Sequence, residues 1–166
     1  MKVIGIDPGT ARTGYAICEF NFNKIKLVDY GVITTSSKLK STARLKRIYD
    51  ELYSIIKVYR PEVSAVEKLY FSKNIKTAMS VSEARGVILL CLNEFNIPVY
   101  EYTPLEVKSA IVGFGNATKK QVQTMLMKLL SLKTIPAPDD AADAIAICFT
   151  LKNNLKSKIK FQKRGR

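Results

Sequence analysis

Three stretches of strand-like composition follow one another within the first 35 residues, separated by short connections. They are KVIGID at 2–7, TGYAICEF at 13–20 and KIKLVDYGVITT at 24–35, and together they are rich in Ile, Val, Tyr and Thr. Strands joined by such short connections pair in antiparallel fashion. This opening predicts a sheet whose first three strands form an antiparallel meander.

The rest of the chain alternates helix-like and strand-like patterns. Apolar periodicity or capping residues predict helices over 41–59, over 75–95, from TPLE at 103–106, from TKKQ at 118–121 and over 139–153. Short apolar runs predict further strands over 62–68 and 97–101. The alternation is typical of an α/β fold with a mixed central sheet, in which parallel strands extend the meander and α-helices flank it.

A length of 166 residues fits one domain, which we place at 1–153, followed by a basic, flexible tail at 154–166. The longest apolar run, VILLCL at 87–92, is too short to cross a bilayer, and the N-terminus lacks the layout of a signal peptide. We therefore expect a cytoplasmic protein. The three cysteines show no CxxC spacing and are expected to be buried thiols.

The net charge of +13 is unevenly distributed. Residues 151–166 carry seven Lys or Arg and no acid, which leaves +6 for residues 1–150. Such a balance favours a polyanionic partner, and nucleic acid is preferred to a membrane because no long amphipathic basic helix is evident.

The chain contains no histidine. This excludes a Ser-His-Asp triad, a Cys-His pair and a His-ligated zinc site within the chain. Acid–base or metal chemistry must therefore use carboxylates, lysines, tyrosines or cysteines.

Two of the predicted strands lead into acids. Asp7 ends the first strand, directly before a Pro-Gly pair, and Glu67 lies at the end of the strand at 62–68. If these strands are parallel neighbours, the two acids lie about 5 Å apart at the sheet edge where ligands bind in open α/β sheets. Each acid also has a plainer interpretation, Asp7 as a turn residue and Glu67 as a strand end paired with Lys68.

The predicted final helix adds Asp139, Asp140 and Asp143, and residues three or four apart share a helical face. Spacing does not choose between Asp139 and Asp140, either of which is suited to cap the helix. Up to four carboxylates meeting at one point require raised pKa values or a cation. Oxygen ligands suit Mg²⁺ or Mn²⁺, and two such ions can support phosphodiester hydrolysis. The pattern is compatible with a metal-dependent nuclease.

Four stretches carry a more specific resemblance. They are IGIDPGTARTGYA, VEKLYFSKNIKTAMSVSEARGV, EYTPLEVKSAIVGFGNATKKQVQ and PDDAADAIAI. In this order, from residue 3 to about residue 150, the chain resembles the RuvC family of Holliday-junction resolvases. The resemblance implies a ribonuclease H-like fold, a homodimer and paired symmetric nicks in four-way junction DNA during recombination and repair. It also implies 5′-phosphate products and a partnership with the RuvA–RuvB branch-migration complex.

The resemblance also assigns the metal site. It implies that Asp7, Glu67, Asp140 and Asp143 are catalytic residues that bind two Mg²⁺ ions per subunit, with Mn²⁺ as a substitute. The family reads DAAD at the last pair, which selects Asp140 and leaves Asp139 as a helix cap.

The DNA-binding residues implied by the resemblance are Tyr70, Phe71, Lys73, Lys108 and Lys119. Tyr70 stands where the family places an aromatic residue, usually phenylalanine, that stacks on an unpaired base. The alternative for Tyr70 is a core position in the following loop, a role that the adjacent Phe71 also fits. Lys108 and Lys119 match basic positions near the scissile phosphate, although Lys119 also fits a solvated surface lysine. The helix containing Ala84 to Gly86 is expected in the dimer interface.

Three other classes of protein are compatible with parts of the sequence. A RuvX/YqgF-like nuclease acting on structured RNA shares the opening strand but lacks the VExxYF and DAADA stretches. A fragment of an actin-like sugar kinase or chaperone would need a second Gly-rich phosphate motif and about twice the length. The third class is a module that binds branched DNA without cutting it. The four acids argue against this class, because such a module would bind DNA better without carboxylates near the phosphates.

Overall fold

The structure, a computed structural model, describes residues 1–21, 24–69, 75–134 and 136–164, with the backbone alone over 75–77 and 156–164. Over these residues there are five strands: β1 Lys2–Asp7, β2 Arg12–Asn21, β3 Lys24–Thr34, β4 Val63–Glu67 and β5 Val99–Tyr102. They form one sheet in the order β3-β2-β1-β4-β5. β1, β2 and β3 pair antiparallel, whereas β4 runs parallel to both β1 and β5. The predicted meander and mixed sheet are confirmed.

In the described part of the chain, five helices flank this sheet: α1 Ser41–Tyr59, α2 Ile75–Glu94, α3 Pro104–Val112, α4 Lys119–Leu129 and α5 Asp139–Arg164. Helix α5 continues beyond the end predicted at residue 153, because neither Gly nor Pro interrupts the chain up to residue 164. Strand β5 begins later than the predicted 97–101, after Pro98, which has no N–H for a sheet hydrogen bond.

Both predicted helix starts in the second half of the chain are confirmed as capping boxes. The Thr103 hydroxyl accepts from the backbone N–H of Glu106 at the start of α3. The Thr118 hydroxyl accepts in the same way from Gln121 at the start of α4. Because α4 begins immediately after this cap, Lys119 is fixed at its first position.

A hydrophobic core lies on each face of the sheet. Val3 and Ala65 belong to the core shared with α3, α4 and α5. Ile4, Ile6 and Val66 belong to the core shared with α1 and α2. This division follows from the strand periodicity of two, which turns alternate side chains of β1 to opposite faces. The three cysteines are free and buried, as expected.

Two glycines allow α5 to lie very close to the sheet. A Cβ atom on Gly5 would lie 2.3 Å from the Ala144 carbonyl oxygen, and one on Gly14 would lie 1.9 Å from the Asp140 carbonyl oxygen. Gly14 is also the register partner of Asp7. The missing side chains therefore bring the start of α5 next to the end of β1.

No helix within the described residues is long and apolar enough to span a membrane.

Candidate active site

Asp7 and Glu67 end two neighbouring strands at the same edge of the sheet. β1 and β4 are parallel, and Ile6 pairs with Val66 directly before these acids. The parallel pairing predicted for the two strands is therefore confirmed. The two carboxyl groups are therefore close neighbours, and each acts on the pKa of the other.

Asp7 lies at the centre of a cluster of four acids, called the acidic cluster, whose other members are Glu67, Asp140 and Asp143. Burial, followed by the charges of Glu67, Asp143 and Asp140, raises the pKa of Asp7 to about 8, against the opposing charge of Lys119. Acids from three distant segments thus act on one carboxyl group. A protonated Asp7 at neutral pH is the response expected when several carboxyls crowd together in a partly dry site.

Glu67 has a similar environment, with an additional cation. Burial and the charge of Asp143 raise the pKa of Glu67 to about 7, against the hydrogen bond from Asp7 and the charges of Lys108 and Lys119. The structure therefore places Lys108, on α3, close enough to act on Glu67. Lys108 itself is half-buried.

Asp143 is a member of the acidic cluster and contacts Lys119. The Lys119 Nζ donates to Asp143 Oδ2 at 3.0 Å. Burial raises the pKa of Asp143, and the contact with Lys119 only partly offsets this effect. Burial lowers the pKa of Lys119, but Asp143 and Asp139 outweigh it, so the pKa of Lys119 is raised. Lys119 is thus an ammonium group that partly neutralises the cluster.

Asp139 and Asp140 point to different partners. Asp140 is 30% exposed, lies 3.5 Å from Arg12 Nη1 and raises the pKa of Asp7. Asp139 is 64% exposed and 3.4 Å from Lys119 Nζ, and it accepts from the Gln123 side chain at 2.9 Å. Within the described part of the chain, the partners of Asp139 are α4 side chains rather than backbone N–H groups. The capping role predicted for Asp139 is therefore wrong.

The donor set of the cluster suits a hard divalent cation. Asp7, Glu67, Asp140 and Asp143 offer only carboxylate oxygens, the ligands that Mg²⁺ and Mn²⁺ prefer. Among the residues described, no three acids already stand as a ready set of ligands for one ion. The pKa of Asp7, about 8, reflects burial and, after it, charge repulsion from the neighbouring acids, and a divalent cation would relieve this repulsion. The residues therefore fit such an ion when their carboxyl groups are deprotonated.

Tyr70, Phe71 and Lys73, predicted to bind DNA, lie outside the described residues. The sequence patterns described above predict no role for two arginines near the cluster. Arg12 lies beside Asp140, and Arg44, in the first turn of α1, borders the same cavity as Arg12 and Asp140. Arg12 stands within the IGIDPGTARTGYA stretch, which was a signal that could have identified it.

The sheet order and the position of the acids define a class of protein. A meander extended by two parallel strands, with acids at the ends of β1 and β4 and at the start of α5, is the arrangement of a ribonuclease H-like nuclease. The ribonuclease H-like fold predicted from the sequence is confirmed by the solved structures that this chain resembles.

Comparisons with known proteins identify the family. Residues 3–151 match the family model described as crossover junction endodeoxyribonuclease RuvC, and the chain belongs to this family. The RuvC of Fusobacterium nucleatum is 54% identical over 161 residues, which cover 97% of this chain and 85% of the relative. The RuvC of Caldicellulosiruptor saccharolyticus is 55% identical over 148 residues, 89% of each chain.

A solved structure gives the same result. T. thermophilus RuvC in complex with a Holliday junction substrate is 36% identical, with a TM-score of 0.85 over 90% of this chain and 92% of the other. The family and its fold imply dependence on a divalent metal ion.

Proposed function

We propose that this chain is an endonuclease that resolves Holliday junctions with Asp7, Glu67, Asp140 and Asp143 as its catalytic residues. The single observation that supports the residue assignment is the convergence of three segments: β1 and β4 end side by side in Asp7 and Glu67, and the backbone of Asp140 lies against Gly14, the register partner of Asp7, in a chain of the RuvC family. Resolution consists of paired symmetric nicks in four-way DNA, leaving 5′-phosphate and 3′-hydroxyl ends.

Each residue of the cluster has a defined task in this proposal. The four carboxylates bind two Mg²⁺ ions, for which Mn²⁺ can substitute. When bound, these ions supply charge stabilisation at the scissile phosphate and an activated water. Asp7 and Glu67 would hold the ions in their deprotonated forms, because a proton and a cation compete for the same carboxylate oxygens. Lys108 and Lys119, which already act on Glu67, hold the oxygens of the phosphate.

The test is metal-dependent nicking of a synthetic four-way junction, with a linear duplex and an RNA–DNA hybrid as controls. We expect symmetric cuts in two strands of like polarity, only with Mg²⁺ or Mn²⁺, and nicks that ligase can seal. Equal cutting of the linear duplex would contradict the proposed substrate. Preferential cutting of the hybrid would favour an RNA-directed nuclease instead.

Asp140 and Asp139 provide a matched pair for testing the ligand assignment. We expect Asp140→Asn to reduce the cleavage rate at least about 100-fold, since about 2.7 kcal/mol of transition-state stabilisation depends on a correctly placed charge. Asp139→Asn is expected to change the rate less than about threefold, because Asp139 is exposed and contacts α4. Single-turnover cleavage measures both rates. Equal losses in the two variants would contradict the choice of Asp140.

We also propose that the chain acts as a homodimer through the exposed face of α2. Met79 and Leu90 on this helix are 64% and 56% exposed, and no atom of the residues that the structure describes lies within 4 Å of a Cβ built on Gly86. These three residues recur at helical spacing along one face of α2. A second copy of this face would cover the apolar side chains, and a two-fold axis would match the symmetry of the junction.

Leu90→Lys is expected to dissociate this dimer. Symmetry removes the leucine twice, which costs about 3 kcal/mol at the lower limit for a buried leucine and raises the dissociation constant at least about 100-fold. Light scattering over a concentration series measures the change. Val58→Lys on α1 is the control, because Val58 is 72% exposed. A Leu90→Lys variant that remains a dimer would contradict the assignment of this face.

The remaining assignments extend the same proposal. Tyr70, Phe71 and Lys73 contact the junction DNA, with Tyr70 stacking on an unpaired base. The basic segment 154–166 adds phosphate contacts outside the nuclease domain at 1–153. The enzyme acts in the cytoplasm with the RuvA–RuvB complex, which presents junctions to it.

A further inference from the structure

A cavity of about 430 Å³ borders the acidic cluster. Its lining includes Arg12, Arg44, Ser80, Lys119, Asp139 and Asp140. Asp140 and Lys119 connect the cavity to the proposed catalytic centre, while Arg44 brings a positive charge from α1. The cavity therefore lies within reach of a DNA strand held at the acids.

Arg44 is held in place by a chain of hydrogen bonds. Its Nε donates to the Thr35 hydroxyl at 2.8 Å. Thr35 is buried, with 8% exposure, and its hydroxyl in turn donates to the Thr10 carbonyl oxygen. A guanidinium has five N–H donors, so the contact through Nε leaves the four donors of the two terminal nitrogens for another ligand. This end of a guanidinium matches the geometry of a phosphate.

Arg44 differs from Arg12 and Lys119, the other cations around the cavity, in its ion pairing. Arg12 lies 3.5 Å from Asp140, and Lys119 lies 3.0 Å from Asp143. Across the described residues, Arg44 has no carboxylate within ion-pair distance. Arg44 is also half-buried. A partly buried cation without an acidic partner favours the binding of an anion.

The wall of the cavity is fixed by further contacts. The Thr10 hydroxyl donates to the Ser80 carbonyl oxygen at 2.7 Å, joining the β1–β2 turn to α2. The Thr13 hydroxyl donates to the Gly9 carbonyl oxygen at 2.7 Å within the same turn. Since Thr10 also accepts from Thr35, one turn positions both the wall and Arg44. A site held in this way binds its ligand with little ordering cost.

We propose that this cavity binds a backbone phosphate of the cleaved strand adjacent to the scissile phosphate, with Arg44 as its principal ligand and Arg12 as a second cation. The inference rests on the proposed function, since the acidic cluster places the scissile phosphate. The terminal nitrogens of Arg44 contact the non-bridging oxygens, and Thr35 positions the guanidinium. The bound phosphate sets the register of the strand at the acids.

The first test measures junction binding without metal over a salt series. We expect Arg44→Ala to weaken binding about tenfold, as for the loss of one charged hydrogen-bonded contact. The slope of log K against log salt should fall by about 0.9, because one phosphate contact is lost. Arg47→Ala is the matched control, since Arg47 is an exposed residue of α1 paired with Glu51 at 2.7 Å. Arg47→Ala should change neither quantity.

The second test locates the phosphate with junctions that carry a single uncharged methylphosphonate. We expect wild-type protein to lose about tenfold in affinity at one position next to the cleavage site, and Arg44→Ala to lose nothing further at that position. Arg44→Lys retains the charge without the paired donors and should fall between wild type and Arg44→Ala. Thermal unfolding establishes that each variant is folded.

Two results would overturn the inference: unchanged affinity and salt slope in Arg44→Ala, or equal sensitivity of both proteins to the methylphosphonate at every position. Failure of the proposed function has a different signature, because wild-type protein would then not cut the junction, whether or not it binds it. Wild-type cleavage together with an indifferent Arg44→Ala would refute the phosphate site alone.

Discussion

Asp7→Asn is expected to reduce the rate of junction cleavage at least about 10³-fold, which corresponds to about 4 kcal/mol of transition-state stabilisation. The amide has nearly the same shape as the acid but carries no negative charge for a cation. Junction binding is expected to stay within about twofold of wild type, because the basic surface is unchanged. Single-turnover cleavage and metal-free binding assays measure the two quantities separately.

Asp50→Asn is the matched control for this prediction. Asp50 is an exposed acid of α1 that pairs with Lys46 at 2.7 Å, away from the acidic cluster. Its replacement tests whether the loss of any carboxylate slows the reaction, and we expect no change in rate. Cleavage at the wild-type rate by Asp7→Asn would refute the catalytic assignment of Asp7, even if the chain proves to be a junction nuclease.

The stability of the metal-free protein is expected to decrease as the pH rises from about 4 to about 8. The folded state raises the pKa of Asp7 from 3.8 to about 8, so it binds a proton that the unfolded chain releases at lower pH. This contribution to stability is complete below the pKa of the unfolded chain and is lost as the pH rises to about 8. Each pKa unit corresponds to about 1.4 kcal/mol, so the effect amounts to several kcal/mol.

The measurement is the difference in melting temperature between Asp7→Asn and wild type, taken without metal at pH 5 and at pH 9. Asparagine imitates the protonated acid, so the difference should favour Asp7→Asn more strongly at pH 9. Added Mg²⁺ should raise the melting temperature of wild type most at pH 9, since protons no longer compete for the carboxylates. A difference that does not vary with pH would contradict the origin of the pKa shift in Asp7.

The sequence predicts the fold well because its strands carry local signals. The apolar run that ends at Asp7 and the one that ends at Glu67 each define a strand, and parallel pairing follows if the two are neighbours. The capping boxes at Thr103 and Thr118 mark helix starts in a few residues, which fixes the position of Lys119 as well. Such features depend on residues close together in the chain, so they can be read without coordinates.

The contacts of the site depend instead on tertiary packing. Asp139 and Asp140 are adjacent in sequence, yet Asp139 contacts α4 and Asp140 contacts Arg12. The rotation of α5 against the sheet decides between them, and no local pattern encodes that rotation. Arg44 lies far along the chain from the acids, and its position depends on Thr35 and Thr10. Sequence periodicity identifies its helix but cannot show which cavity it borders.

Because α5 lies so close to the sheet at Gly5 and Gly14, the activity of the site depends on side-chain volume at these two positions as well as on the charges of the acids. A single added methyl group at Gly14 would meet the backbone of Asp140 at 1.9 Å. Relieving that overlap requires the whole helix to retreat, and its acids would retreat with it. Two positions that carry no functional group thus set the distance between the acids of α5 and those of the sheet. A search for inactivating substitutions that is restricted to charged residues would overlook them.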